Sequence, residues 1–397
     1  MTTASLTAPA APVAPALPIL DRLAQVALLA FVASLQFSIA AASILLTATL
    51  LCWAAVLVRD RVRPLAPSAF VLLGVYAGVT LLSAAFSMDV EASIADSKQL
   101  VLFLVVPAVF VLARGHRATT VVDVVIAAGA VSAAYGIVQY AVLHYDNLGQ
   151  RPQGNLGHYM TYSGVLMLVV CAALARVVFG AREARTWPAL VMPALVVALS
   201  LTLGRSAWVG TCAAVGLLLG LRDFRLTAFL PVVVAALFAL APDTVTTRMM
   251  SMFDLQDPSN RDRVAMLRTG VAMVRADPLT GVGPNMVPRA YPTFRDASAV
   301  EAVNPHLHNV PMQIAAERGL PALAVWVGFI AVLVRALYRR FKAAVDRVDK
   351  VLPAAGLAAV AAMLAAGMFE YNFGDSEFLM LFLVLVTLPF AASRAER

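Results

Sequence analysis

Two histidines separated by a single residue, His306 and His308, sit in the run Asn304-Pro305-His306-Leu307-His308-Asn309. That run lies in a polar stretch from about residue 241 to Arg318 with eight arginines: Arg248, Arg261, Arg263, Arg268, Arg275, Arg289, Arg295 and Arg318. Imidazole, with an ordinary pKa near 6.5, is the side chain best suited to take a proton near neutral pH. Guanidinium groups bind phosphate and carboxylate oxygens through paired N–H donors. The combination predicts a general base beside an anion site. His-X-His also suits a metal, but no cysteine and no Asp-X-Asp pair accompanies it, so neither a metal ion nor another cofactor is expected.

Three further segments could contribute. Arg205, in Thr202-Leu203-Gly204-Arg205-Ser206, is squeezed between two apolar runs, a costly position unless it meets an anion or a water-filled cavity. The run from His144 to Tyr159 is polar and aromatic in the manner of sugar-binding surfaces, and offers Arg151, His158 and Tyr159; an ordinary interfacial loop accounts for it equally well. The run Pro278-Leu279-Thr280-Gly281-Val282-Gly283-Pro284-Asn285 suits a tight turn with exposed N–H groups, and lacks the Lys-Ser/Thr ending of a nucleotide phosphate loop.

The elements that must position these groups are apolar. With 61% hydrophobic and 13% charged residues, the chain exceeds what a water-exposed surface tolerates. Twelve runs, at 23–40, 41–58, 67–86, 99–113, 120–143, 160–179, 187–203, 206–221, 227–241, 320–337, 352–368 and 378–392, approach the roughly 20 residues that cross a hydrocarbon core. The reading is an all-α polytopic membrane protein of about 12 transmembrane helices. Residues 1–20 form a disordered cytoplasmic tail, 21–241 helices one to nine, 242–318 a partly helical catalytic loop, and 319–397 helices ten to twelve. Basic clusters follow every second span (Arg59, Arg61 and Arg63; Arg114 and Arg117; Arg176, Arg182 and Arg185; Arg222 and Arg225; Arg335 to Lys350; Arg394 and Arg397). Positive charge in short loops stays inside, so both termini are expected in the cytoplasm and the long loop in the periplasm. The net charge of +7 is what this orientation demands and implies no nucleic acid.

Within the long loop, Val264, Leu267, Val271 and Val274 recur at helical spacing, which predicts a helix over 260–276, capped by Ser259 or Asn260 and ended by Asp277-Pro278. Its apolar stripe, edged by Arg261, Arg268 and Arg275, is expected to rest on the membrane surface. Cys52, Cys171 and Cys212 fall in apolar spans and read as buried packing residues without a disulfide partner.

Twelve spans, a long loop before the tenth, an arginine-led helix running into Pro-Leu-Thr-Gly-Val-Gly-Pro-Asn, and then His308-Asn309 with Glu317 and Gly319 resemble the O-antigen ligase and polymerase superfamily. The resemblance spans nearly the whole chain, with its motifs confined to Arg205 and residues 261–319. It implies that His308 is the essential base. It also implies that Arg205 and Arg263 bind the donor pyrophosphate, with Arg151 and Arg261 as further candidates. The family's tryptophan four residues after the helix arginine is Leu267 here, so the choice between Arg261 and Arg263 stays open. His306, which is extra to the pattern, Asn309, Glu317, His158 and Tyr159 are the supporting or acceptor-binding candidates.

The implied reaction is a metal-independent, inverting transfer of O-antigen from undecaprenyl pyrophosphate to a sugar hydroxyl of lipid A-core, completing lipopolysaccharide at the bacterial inner membrane. Its partners would be that lipid-linked donor, the lipid A-core acceptor and membrane lipids. An O-antigen polymerase or a protein O-oligosaccharyltransferase would share the donor chemistry. The non-enzymatic alternative is a polysaccharide or lipid transporter, against which stands the near absence of ionisable residues within the spans.

Overall fold

In a bilayer the backbone must satisfy its own hydrogen bonds, and helices do so within one segment. The computed structural model describes residues 18–145 and 151–394, and among them every regular element is helical. In chain order these are α1 (Ile19–Ser34), α2 (Ile39–Asp60), α3 (Val71–Ala85), α4 (Val90–Asp96), α5 (Val105–Leu112), α6 (Arg117–Ala141), α7 (Tyr159–Phe179) and α8 (Arg182–Leu201). They continue with α9 (Arg205–Arg222), α10 (Leu230–Leu240), α11 (Asp243–Met250), α12 (Pro258–Ala276), α13 (Val287–Phe294), α14 (Val310–Ala343), α15 (Val351–Gly367) and α16 (Ser376–Ala392), with short 3₁₀ segments between several of them. The expected N-terminal tail up to residue 17, Arg397, and residues 146–150 of the expected sugar-binding loop lie outside the described residues.

Each apolar run expected to span the membrane falls on a helix. Eight helical stretches are long and apolar enough to cross one, which makes the chain a multi-pass membrane protein. Two shorter apolar stretches, Phe224–Leu240 and Ser376–Ala392, fall on the ninth and twelfth expected spans. The remaining two are α1, with Asp21 and Arg22 in its first turn, and α9, whose ends are Arg205 and Arg222. The fourth span is composite: α4, a 3₁₀ stretch Ser97–Leu104 and α5 follow one another.

Helices α7 and α15 are buried over most of their length and form the centre, with α9, α14 and α16 packed around α15. Small residues make this possible, since α15 presents Ala354, Ala355, Ala358, Ala359, Ala362 and Ala366 to its neighbours. Cys171 is buried here, but Cys212 is exposed on α9, contrary to expectation; with Gly and Ala on the packed face of α9, the thiol is left on the outer one.

A second, smaller core builds the region between α11 and α14. Met266, Met273, Val282, Met286, Val287, Tyr291, Leu307 and Ala316 pack together, so α12 and α13 fold down onto the start of α14. The expected helix at 260–276 is present as α12, but Asp257 caps it, accepting from the Asn260 N–H at 3.2 Å, with Pro258 in the first turn. Its inward face is Ala265, Met266, Thr269, Gly270 and Met273, while Val264, Leu267 and Val271 are exposed. The small residues and methionines point inward because the loop's own core needs close approach on that side: Gly270 faces Met312 and Leu307.

Helix α14 begins ten residues before the span read from hydropathy and breaks at Gly319 (φ +79°). The Leu279–Gly283 turn lies in this break. Val282 and Gly283 donate to the carbonyls of Ala316 and Glu317, both at 2.9 Å, and Leu320 donates to Pro278 at 2.8 Å. A Cβ on Gly281 would meet the Glu317 backbone and one on Gly319 the Leu279 carbonyl, so both glycines serve backbone-to-backbone packing.

Candidate functional site

The loop that carries the histidines is pinned from both sides. Asp262, buried on α12, accepts from the backbone N–H groups of Val300 (2.9 Å) and Glu301 (3.0 Å) and from Asn304 (3.2 Å). Asn309 caps α14, accepting from Met312 at 2.9 Å, and its amide donates to the Met368 carbonyl at 3.0 Å. Leu307 donates to Gln313 at 2.7 Å. Between these anchors His308 takes a left-handed backbone (φ +47°), which for a residue with a side chain is sustained only by such surroundings.

The pinned loop brings His308 against Glu370, which follows α15. His308 Nδ1 lies 2.8 Å from Glu370 Oε2, His306 Nε2 lies 3.6 Å from Oε1, and the two imidazoles are 4.1 Å apart. The Tyr371 N–H donates to Oε1 at 3.1 Å. Burial alone would raise the Glu370 carboxyl, but the hydrogen bond and charge of His308, with His306 and the Tyr371 N–H, outweigh it and hold the pKa at about 2. Burial pushes His306 down to about 4, partly offset by Glu370, and keeps it neutral. A carboxylate only accepts, so it fixes the His308 proton on Nδ1 and leaves Nε2 as the basic nitrogen.

His308 also lines a cavity of about 420 Å³ whose wall is arginine-rich, with Arg151, Arg205, Arg248 and Arg263 around it. Arg205 is the first residue of α9 and is buried, and its two terminal nitrogens are engaged: they donate to the Ser251 carbonyl (3.2 Å) and hydroxyl (3.1 Å), to Asp257 (3.4 Å) and to Ser259 (2.8 Å). Arg248, on α11, sits 3.9 Å from the other oxygen of Asp257. Arg151 lies over the Tyr159 ring, 4.2 Å from its centroid. The buried Nε atoms of Arg151 and Arg248 have no hydrogen-bond partner among the described residues. Burial lowers the pKa of Arg151, Arg248 and Arg263, and neighbouring guanidiniums lower it further; Arg248 reaches about 10. Set against the carboxylates of Asp257, Asp262 and Glu301, the four guanidiniums leave this wall with an excess of positive charge, the condition of an anion site.

Most sequence-predicted residues converge here. Arg205, Arg263, Arg151, Tyr159 and His308 share the one cavity. Arg263 faces it while Arg261, two residues away, is exposed on the opposite side of α12. His306 and His158 line an adjoining cavity. Asn309 is a cap, and Glu317 is in neither cavity; it pairs with Arg318 at 2.7 Å behind the Gly319 break. Sequence reasoning missed Glu370, Arg248, Asp257 and Asp262. Glu370 stands out in sequence only as one of three acids after the eleventh span. His306, His308 and Glu370 together place three ligand atoms within 4.8 Å of one another, a spacing that could also hold a cation.

These features define a polytopic helical membrane protein in which a histidine paired with a carboxylate lines an arginine-rich cavity. Residues 189–327, a segment in the middle of the chain, match the model of a family described as O-antigen ligase. The matched segment runs from α8 through the Gly319 break and carries Arg205, Arg248, Arg263 and His308. No curated protein matches the chain.

Proposed function

We propose that the chain is a membrane glycosyltransferase that moves O-antigen polysaccharide from undecaprenyl pyrophosphate to a sugar hydroxyl of lipid A-core. The observation that carries this reading is that His308, held by Glu370, lines one cavity together with four guanidiniums. A glycan on a lipid pyrophosphate already has an activated anomeric carbon. As its C–O bond breaks, negative charge grows on the departing pyrophosphate; Arg248, Arg263 and Arg151 stabilise it through hydrogen bonds, and Arg205, whose terminal nitrogens are held by Ser251, Asp257 and Ser259, adds its positive charge beside them. Across the sugar, His308 Nε2 removes the proton of the attacking hydroxyl, and the carboxylate of Glu370 stabilises the imidazolium. Attack opposite the leaving group inverts the anomeric centre. Donor, acceptor and catalyst meet at the periplasmic face of twelve spans, with both termini cytoplasmic; an impermeant thiol reagent labels a cysteine placed at Asp296 and not one at Asp346.

The test is transfer by the purified chain in liposomes given lipid-linked glycan and complete-core lipid A. His308→Ala abolishes transfer while donor binding persists; near-normal transfer by this variant removes the histidine from the mechanism. A metal-assisted reading has one observation in its favour, the spacing of His306, His308 and Glu370. Full activity in excess chelator rejects it, and activity lost to chelator and restored by a divalent ion establishes it in place of the arginine mechanism.

A further inference from the structure

The three groups that set the base also have the geometry of a ligand set. His306, His308 and Glu370 are all half-buried, and a nitrogen of each imidazole and a carboxylate oxygen lie within 4.8 Å of one another. His308 Nδ1 is 2.8 Å from Glu370 Oε2, and His306 Nε2 is 3.6 Å from Oε1. Ligand atoms about 2.0–2.1 Å from a tetrahedral zinc ion stand roughly 3.3 Å from one another. The two observed separations fall either side of that value, so small side-chain rotations close the set on one ion. The site is reached from water on both sides, because His308 lines the arginine-rich cavity and His306 the adjoining one.

Donor type narrows the ion. Two imidazoles and one carboxylate suit Zn²⁺, whereas Mg²⁺ and Ca²⁺ take oxygen ligands. Charge decides how firmly it is held. Glu370 supplies the single negative charge of the set, and the guanidinium of Arg263 lies within reach of that charge and repels a cation. Three ligands opposed by a guanidinium make a site that fills and empties with the zinc concentration.

We propose that His306, His308 and Glu370 bind Zn²⁺ reversibly and that the bound ion switches transfer off. The inference rests on the glycosyl-transfer reading above and turns on the tautomer of His308. Glu370 holds the imidazole proton on Nδ1 and leaves the Nε2 lone pair for the acceptor hydroxyl. Zinc requires the Nδ1 lone pair instead. The Nδ1 proton leaves to solvent, Nε2 takes one up, and the ring stays a neutral imidazole whose one lone pair is committed to the metal. No nitrogen of His308 is then left to accept the hydroxyl proton. His306 makes the same exchange, binding through Nε2 and carrying its proton on Nδ1, at the cost of the 3.4 Å contact that Nδ1 accepts from the His308 N–H. Metal assistance would change the rate in the opposite direction.

The experiment uses the untagged full chain, first for binding and then for transfer. Co²⁺ is the spectroscopic probe, since its visible absorption reports tetrahedral ligation, and Zn²⁺ displaces it. Losing even an outer partner of a metal ligand costs about 10–100-fold in affinity, so His306→Ala, His308→Ala and Glu370→Gln each weaken Zn²⁺ binding at least about tenfold. His116→Ala, at the N-cap of α6, does not. In liposomes with lipid-linked glycan and complete-core lipid A, buffered Zn²⁺ lowers transfer with the midpoint of the binding curve, a chelator restores it, and Mg²⁺ leaves it unchanged. No binding to wild type, or binding that none of the three substitutions weakens, overturns the site. Binding there with transfer unchanged or raised overturns the inhibition. If neither zinc-free nor zinc-loaded protein transfers glycan, the glycosyl-transfer reading is what fails. The switch is then read from the ¹⁵N resonances of the His308 ring: zinc on Nδ1 with the proton on Nε2 upholds it, and any other assignment overturns it.

Discussion

Replacing Glu370 by glutamine separates the charge of this residue from its shape, and the structure dictates the outcome. Oε1 of Glu370 accepts from the Tyr371 N–H at 3.1 Å, and Oε2 faces His308 Nδ1 at 2.8 Å. In Glu370→Gln the backbone N–H holds the amide oxygen at the Oε1 position, so the amide NH₂ is turned toward His308. An NH₂ group can only donate, which forces Nδ1 to accept and moves the imidazole proton to Nε2. The basic nitrogen is then lost from the side that faces the substrates. General-base assistance is worth about 10²–10⁴-fold, so Glu370→Gln falls by that much. Glu370→Ala removes the partner without imposing a tautomer; losing one hydrogen bond to a charged group, about 1.5–3 kcal/mol, lowers the rate roughly 10- to 150-fold. The amide is therefore expected to be more damaging than the alanine. Single-turnover transfer in liposomes, with donor binding measured separately, gives the comparison. A Glu370→Gln protein as active as Glu370→Ala, or more so, refutes the tautomer argument.

Arg205→Lys retains charge but not the forked contacts to Ser251, Asp257 and Ser259, so donor binding and turnover should both recover poorly relative to Arg205→Ala; full recovery in a titration of lipid-linked donor contradicts this. His306 has its pKa lowered from 6.5 to about 4 by burial, so between those values the unfolded chain holds more protons than the folded one and stability falls as pH falls. Glu370, lowered from 4.5 to about 2, adds a further loss between those two values. Melting temperatures of His306→Gln should therefore vary less than wild type between pH 6.5 and 4.5, and equal slopes would discount the burial of His306. Gly319→Ala places a Cβ against the Leu279 carbonyl at φ +79°, ψ 170°, a conformation essentially confined to glycine and costing about 1–3 kcal/mol even without the clash. It should lower the melting temperature by several degrees, whereas Gly74→Ala, with no atom within 4 Å of the new Cβ, should not.

The helices were legible because apolar length is a local property: each apolar run read from the sequence falls on helical structure, although only eight stretches are long and apolar enough to cross a membrane and the fourth run is partly 3₁₀. What α12 packs with its other face was not, because Val264, Leu267 and Val271, the stripe expected at the membrane surface, are exposed, while Ala265, Met266 and Gly270 meet the loop's own core, which no local pattern announces. His308, Arg205 and Arg263 could be named from type and setting. Glu370 could not, since its partner lies 62 residues away and only the packing of α14 on α15 brings them together. Arg248 was one arginine among eight in the loop, and its inward position depends on the shared Asp257 that no spacing rule connects to it. The glycines of the 278–285 run were read as a turn; their second role, close packing into the break of α14, needs the partner helix to be seen.

The four-guanidinium wall has a consequence beyond catalysis. The cavity sets four guanidiniums against three carboxylates, Asp257, Asp262 and Glu301, so like charges stand against one another in partial burial. On the proposed reading, the lipid pyrophosphate relieves that repulsion, so donor binding stabilises the fold itself and saturating donor raises the melting temperature. The product goes further. Losing its glycan turns a doubly substituted pyrophosphate into a singly substituted one with an additional ionisable oxygen, which the arginines hold more tightly than the donor they received. Departure of the spent lipid carrier, rather than bond formation, then sets the pace of turnover, and the membrane around the protein governs its rate by how fast that carrier is taken away.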